Sequence, residues 1–288
     1  MRIVITGAKG LIGRELFLLL RKKGNEVKTY DLKDGYDLTD YNTCLKICKN
    51  ADEVYNLVGL KGSPKRTSEE PYTFMEPMLR FNMNMIKAAI ECKVKKFLYT
   101  SSIAVLNPQT DRFPAFAKLA GEELINAYRI QYPKGTKFCI VRPANVFGRF
   151  DDLKAEHLMV VSSLIRKGLN AKSCGIDYFE VWGDGEQIRD FIDSRDVARG
   201  MILTMNKMPI EPINLCSGKG VKIKDIANTI GKILKLKVKF DDSKPVGDKV
   251  RLMPANGKLI NFKPKIDVLK GVKEATKWKM KNFNVKFH

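Results

Sequence analysis

A parallel β-sheet covered on both faces by helices, with a smaller α+β lobe at its C-terminal side, is the fold class this chain predicts. Three observations predict it. Short β-branched runs alternate with amphipathic stretches through the first half, a glycine-rich turn joins the first run to the first amphipathic stretch, and the pattern loosens after residue 149.

The strands are expected at 2–6, 26–30, 53–57, 96–100 and 137–141. Between them Leu11, Ile12, Leu16, Leu19 and Leu20 share one helical face. Met78, Phe81, Met85, Ala89 and Cys92 share another, which reads as core rather than as a cofactor box. Polar connections at 170–178 and 241–249 then separate helices expected at 223–234 and 266–277. The division that follows is 1–149 for the sheet domain, completed by part of 188–215, and 150–288 for the lobe that closes over it. Binding sites commonly lie between such lobes.

Composition narrows the function. At 288 residues and 44% hydrophobic, the chain can bury one large core, or a core with a small lobe. No apolar run approaches the roughly 18 residues of a membrane span. The sequence enters its first apolar run at Ile3, leaving no room for a signal peptide, so a cytoplasmic protein is expected. Cys44, Cys48, Cys92, Cys139, Cys174 and Cys216 include no C-x-x-C pair and read as reduced thiols. His157 and His288 are the only histidines, too few for a histidine-rich metal site or a conventional Ser-His-Asp triad, and no metal is expected. The net charge of +20 would suit nucleic acid, but the basic residues run along the chain with only short clusters at 21–23 and 93–96 and no nucleic-acid motif. A lysine-rich solvated surface is the reading, and it would also favour a phosphate-bearing small ligand.

The first turn carries the chemistry. Gly7-Ala8-Lys9-Gly10-Leu11-Ile12-Gly13 follows a strand and opens a helix, and Asp31 stands eighteen residues after Gly13 at the end of the second strand. In that setting Gly7 permits the tight turn, Gly10 lets backbone N–H groups approach a pyrophosphate, and Gly13 lets helix and strand pack closely. The sheet is therefore a Rossmann-type doubly wound one that binds a dinucleotide. An acid at Asp31 would accept hydrogen bonds from the adenosine ribose and repel a 2′-phosphate, favouring NAD. Lys9 and Lys33 argue for NADP if they pair with that phosphate, and are otherwise solvated loop lysines.

Further stretches point to a family: T-G-A-K-G-L-I-G from Thr6, F-L-Y-T-S-S-I-A-V from Phe97, A-K-L-A-G-E from Ala117, R-P-A-N-V-F-G from Arg142, L-I-R-K from Leu164, V-W-G-D-G-E-Q-I-R-D-F from Val181 and D-S-K-P-V-G-D-K-V-R from Asp242. In this order the chain resembles the extended short-chain dehydrogenase/reductase (NAD-dependent epimerase/dehydratase) family, and within it the GDP-L-fucose synthases. The resemblance implies an NAD(P)-dependent epimerase or reductase of nucleotide-diphosphate sugars, GDP-linked ones among them. It also implies a homodimer built on the helices around the Tyr-x-x-x-Lys segment. In that family a serine and a Tyr-x-x-x-Lys pair trade a proton with a sugar oxygen while hydride moves to or from nicotinamide. Ser102 matches the serine, and Lys118 matches the lysine, which serves both catalysis and cofactor binding. The tyrosine position holds Pro114, and neither Phe113 nor Phe116 replaces its acidic hydrogen. Tyr99 and Tyr128 are expected to be structural.

The resemblance also places Ala104 where these epimerases carry a cysteine base and Met159 where they carry a histidine, with His157 two residues away and read as an exposed or capping residue. It assigns Lys167, Trp182 and Arg189 to the nucleotide and diphosphate of the substrate, with Arg251 a further candidate. The competing readings are a core aromatic for Trp182 and an ion pair with Asp190 or Asp193 for Arg189. Two functions follow: a nucleotide-sugar enzyme whose proton transfer has moved to another group or to water, or a non-catalytic cofactor- or sugar-nucleotide-binding scaffold or partner subunit.

Overall fold

Strands β1 (Arg2–Thr6), β2 (Glu26–Tyr30), β3 (Glu53–Asn56), β4 (Lys96–Thr100) and β5 (Lys137–Pro143) form where the alternation places them, β3 one residue shorter and β5 two longer than expected. The computed structural model describes residues 1–60, 64–109, 112–244 and 248–282. The helices of the first half are α1 (Leu11–Lys22), α2 (Tyr41–Cys48), α3 (Pro64–Glu69), α4 (Pro71–Glu91) and α5 (Arg112–Gln131). Next come β6 (Asn145–Phe147), α6 (Val160–Ser173), β7 (Tyr178–Trp182), β8 (Ile188–Asp193), α7 (Ser194–Lys207) and β9 (Ile213–Leu215). The chain continues through β10 (Gly220–Lys222), α8 (Ile223–Leu234), β11 (Lys237–Asp241), β12 (Val250–Arg251) and α9 (Val268–Asn282).

The main sheet runs β2-β1-β3-β4-β5-β9, every neighbouring pair parallel. β5 extends to Pro143 because β9 pairs with its last three residues. Successive strand side chains point to opposite faces. Ile3 and Ile5 accordingly pack with Leu16 and Leu20 of α1 and Met201 and Met205 of α7, whereas Val4 faces Ile47 of α2 and Phe81 and Met85 of α4. The strand order reverses across β1, which has β2 on one side and β3 on the other. Open α/β sheets bind ligands in the crevice at that point, beyond the carboxyl ends of the strands.

A third core belongs to the smaller lobe. Leu164, Ile165 and Leu169 of α6 meet Ile226, Ile230 and Leu234 of α8 and Val272 and Ala275 of α9. β8 pairs with β6, β10 and β12, and β7 with β11.

Two expected boundaries shift. The stretch 170–178 is not all connection, since α6 runs on to Ser173 and β7 starts at Tyr178. α9 begins at Val268 rather than 266 because the Lys265 and Ile266 amides donate to Asp196 Oδ2 at 2.9 and 2.8 Å, which holds them out of a helix. Asp267 then caps, accepting from the Lys270 amide at 3.0 Å. The connection at 241–249 lies partly outside the described residues.

Candidate functional site

The glycine loop is held by backbone geometry that side chains would spoil. Gly7 sits at φ +68°, and its N–H donates to the Tyr30 carbonyl at 2.9 Å, tying the turn to β2. A Cβ on Gly13 would come within 2.7 Å of Ala8 Cα, so helix and loop close only on glycine there. Gly10 is less constrained by its own loop, a Cβ lying 3.1 Å from the Gly7 carbonyl oxygen, and no side chain caps the helix that starts after it. Its first N–H groups are thus left to an anion.

Asp31 ends β2 and is bound into the loop: Oδ2 accepts the Lys9 N–H at 2.8 Å and Oδ1 the Lys33 N–H at 3.0 Å. Lys9 is ion-paired with Asp34, and Lys33 with Asp152 at 3.0 Å. Both lysines are exposed, as expected, each in a surface ion pair. A cleft of about 590 Å³ runs from Asp31, Lys33 and Tyr36 over Gly7 and Gly10 to Val58, Gly59 and Leu60.

Phe150, Asp152 and Ala155 cover this cleft from the start of the smaller lobe. They carry no periodic signal in the sequence and were not among the expected site residues. Arg149 beside them anchors the loop on buried Glu15 through bonds of 2.8 and 2.9 Å. A charged pair 134 residues apart leaves no trace in local spacing.

Behind Gly59, at the other end of the cleft, lies Lys118. It is buried, and its Nζ donates to the Thr100 carbonyl at 2.9 Å and the Val58 carbonyl at 3.2 Å, at the carboxyl ends of β4 and β3. A Cβ on Gly59 would lie 3.8 Å from this nitrogen. Burial alone pulls the amine down to about 7, because no carboxylate offsets the cost of removing its charge from water. The hydroxyls of Thr100 and Ser101 and the Asn56 amide nitrogen are buried on the same crest with no hydrogen-bond partner. Unpaired polar atoms are costly, and a polar ligand would satisfy them. Ser102 caps the short turn Ile103–Leu106, its Oγ accepting the Ala104 N–H at 3.2 Å.

Pro114 is half-buried as the third residue of α5, a position whose missing N–H costs the helix no bond. It lies one turn before Lys118 on the same face. Tyr99 donates its hydroxyl to the Lys118 carbonyl at 3.1 Å, and Tyr128 accepts the Thr136 N–H at 3.1 Å, so both are structural. Ala104 is buried. Met159 is an exposed residue that immediately precedes α6. His157 is half-buried, with Nε2 3.8 Å from the Glu156 carboxylate, and it does not cap α6. The expectation of an exposed or capping histidine fails for that reason.

The substrate candidates fall into two pairs. Arg189 and Arg251 are in register on adjacent parallel strands, β8 and β12, and therefore point to the same side. Arg189 donates to the Ile188 carbonyl at 2.9 Å. Burial and the like charge of Arg251 push its pKa down, while Asp248 opposes the shift. Neither acid suspected of pairing with Arg189 does so. Asp190 accepts from Ser217 and Gly218, and Asp193 is held by Arg195 at 2.8 Å. In the second pair, Lys167 lies 5.3 Å over the Trp182 ring and donates to the Glu180 carbonyl at 3.1 Å. Trp182 is 55% exposed, which rules out a core aromatic. Val160 to Ser162 share a small cavity with Arg189, and Lys167 lies about 10 Å further along α6, so the two pairs border one helix. Among the described residues no cluster of three or more metal-ligating side chains occurs, and no helix is long and apolar enough to cross a membrane.

Fold and glycine loop together define a Rossmann-type α/β protein, a six-stranded parallel sheet flanked by helices. The chain belongs to the NAD dependent epimerase/dehydratase family, whose profile matches residues 3–216. It is 30% identical over 243 residues to the probable GDP-L-fucose synthase 1 of Oryza sativa subsp. japonica, covering 77% of this chain and 74% of the relative. It is 26% identical to GDP-L-fucose synthase 1 of Arabidopsis thaliana over 305 residues, 98% of this chain and 94% of the relative. Its fold matches a GDP-L-fucose synthetase from Naegleria fowleri bound to NADP with a TM-score of 0.84 at 24% identity, over 98% of this chain and 93% of that one. A UDP-N-acetylglucosamine 4-epimerase from Methanobrevibacter ruminantium matches with a TM-score of 0.83 at 25% identity, over 98% and 99% of the two chains.

Proposed function

We infer that this chain binds NAD and a GDP-linked sugar in the crevice between sheet and lobe, as a nucleotide-sugar epimerase or reductase whose proton transfer is impaired. The in-register arginines Arg189 and Arg251 carry this reading. Two guanidiniums side by side, one partly desolvated, are a poor arrangement for stability and a good one for a diphosphate. The GDP-linked choice is supported by the names of the sequence relatives.

The dinucleotide would be held by Gly7, Gly10 and Gly13 at its pyrophosphate, by Asp31 at the adenosine ribose and by Lys118 at the nicotinamide end. When bound it supplies hydride transfer. Asp31, with Asp152 and Asp37 along the same cleft, supports NAD over NADP. Ser102 would orient the reacting sugar oxygen. The six unpaired cysteines fit a reducing cytoplasm. A homodimer through α4 and α5 is supported by the exposed Tyr72, Met83, Phe116 and Leu124 on those helices.

Calorimetric titration with a GDP-sugar in the presence of NAD tests the reading. Replacing Arg189 by alanine removes a charge-assisted contact worth about 1.5–3 kcal/mol, so affinity should fall tenfold or more. Equal affinity in the folded variant would remove the diphosphate assignment. Binding of both ligands with no turnover would favour a scaffold, a reading that rests on the joint loss at Pro114, Ala104 and Met159.

A further inference from the structure

Lys118 is a buried cation with nothing opposite it. The groups that face it are the carbonyls of Val58 from beyond β3 and Thr100 from β4, and the Tyr99 ring at 5.4 Å, whose own phenol is pushed far up by burial. On α5 the nearest acid, Glu122 one turn further on, is gripped by Arg142 through a 2.9 Å bond and a second shorter one. Two of the three ammonium hydrogens are used on carbonyls. The nitrogen lies behind Gly59, a residue that lines the dinucleotide cleft opposite the Asp31 end.

Such a place tolerates one positive charge better than two. Oxidised nicotinamide carries a positive charge on its ring and reduced nicotinamide does not. A cofactor lying from Asp31 over the glycine loop brings that ring to the Lys118 end of the cleft. We propose that Lys118 itself is the proton donor and acceptor of this site, its ammonium present with the reduced cofactor and its free amine with the oxidised one. In reduction of a keto sugar the bound dinucleotide would supply the hydride for the new C–H bond, and the carbonyl π pair would move to oxygen. An N–H bond of Lys118 breaks to form the O–H bond, leaving the amine. Charge is conserved locally, because the ring gains the positive charge that Lys118 gives up. Oxidation runs the same transfers backwards. The lowered pKa of the amine makes both of its forms available near neutrality.

The inference rests on the dinucleotide reading and is tested by binding alone. Calorimetry of NAD⁺ and NADH with the wild-type protein from about pH 5.5 to 8.5, in buffers of different ionisation heat, counts the protons exchanged. NAD⁺ binding should release up to one proton below pH 7, and its affinity should fall up to tenfold per pH unit there, while NADH affinity does not fall. Lys118→Met should abolish the difference, and the wild-type proton count stands even if that variant does not fold. Equal pH dependence for the two cofactors, or persistence of the difference in a folded Lys118→Met, overturns the proposal. If the wild type binds neither cofactor, the dinucleotide reading fails and this inference with it. If it binds both without proton linkage, only the role of Lys118 fails.

Discussion

The roles of single residues divide into those that sequence type dictates and those that only burial reveals. The position of Asp31 at the end of the second strand was legible, and its carboxylate accepts the Lys9 N–H of the glycine loop. The acids that pair with Lys9 and Lys33 were not legible, since Asp152 is 119 residues from Lys33. Nor was the state of Lys118, which depends on the absence of a counter-charge. That state has a consequence for stability. A lysine is protonated in the unfolded chain up to its ordinary value near 10.4, whereas in the fold it is neutral above about 7. Between those values the unfolded state binds more protons, so this residue makes stability rise with pH, and below about 7 its penalty is complete. Denaturant unfolding of wild type and Lys118→Met across pH 7 to 10 should differ in slope by up to about 1.4 kcal/mol per pH unit, the wild type gaining. Parallel curves would mean that the amine is charged in the fold.

Among the elements, those defined by period and cap were legible, and those defined by a distant partner were not. The alternation placed β1 and β2, while the start of α9 was set by Asp196 taking two amides. α5 accommodates proline at the position where the resemblance puts a tyrosine. Pro114 occupies its first turn without cost and aligns one turn before Lys118. Pro114→Tyr should leave the helix intact and set a phenol beside an amine able to support its anion. A positioned acid contributes about 10²–10⁴-fold, so reduction of GDP-4-keto-6-deoxymannose, followed by NADH consumption, should rise by up to that factor, and by less the more of the proton transfer Lys118 already carries. Substantial wild-type turnover would show that Lys118 or another group already suffices. A folded variant with no gain would shift the defect to Ala104 and Met159.

On the scale of the whole molecule, charge is unevenly distributed along the chain. Basic residues occur along the entire chain, but residues 217–288 hold nineteen of them against six acids, +13 of the total +20. On α9 alone, Lys270, Lys273, Lys277 and Lys281 are exposed at helical spacing, and its one acid, Glu274, is paired with Arg195 at 2.8 Å. The cleft beneath the glycine loop is of mixed charge, lined by Asp31, Asp37 and Asp152 together with Lys9 and Lys33. A field of one sign over the lobe raises the local concentration of a doubly charged nucleotide sugar and speeds its arrival, an effect that salt screens. Raising ionic strength from about 0.01 to about 1 M shortens the Debye length from about 30 to about 3 Å. GDP-sugar association, measured by stopped-flow, should therefore slow by an order of magnitude or more, while NAD association at the mixed-charge cleft changes far less. Equal salt dependence of the two rates would mean that the lobe's charge is plain solvated surface and that Arg189 and Arg251 act, if at all, only at contact.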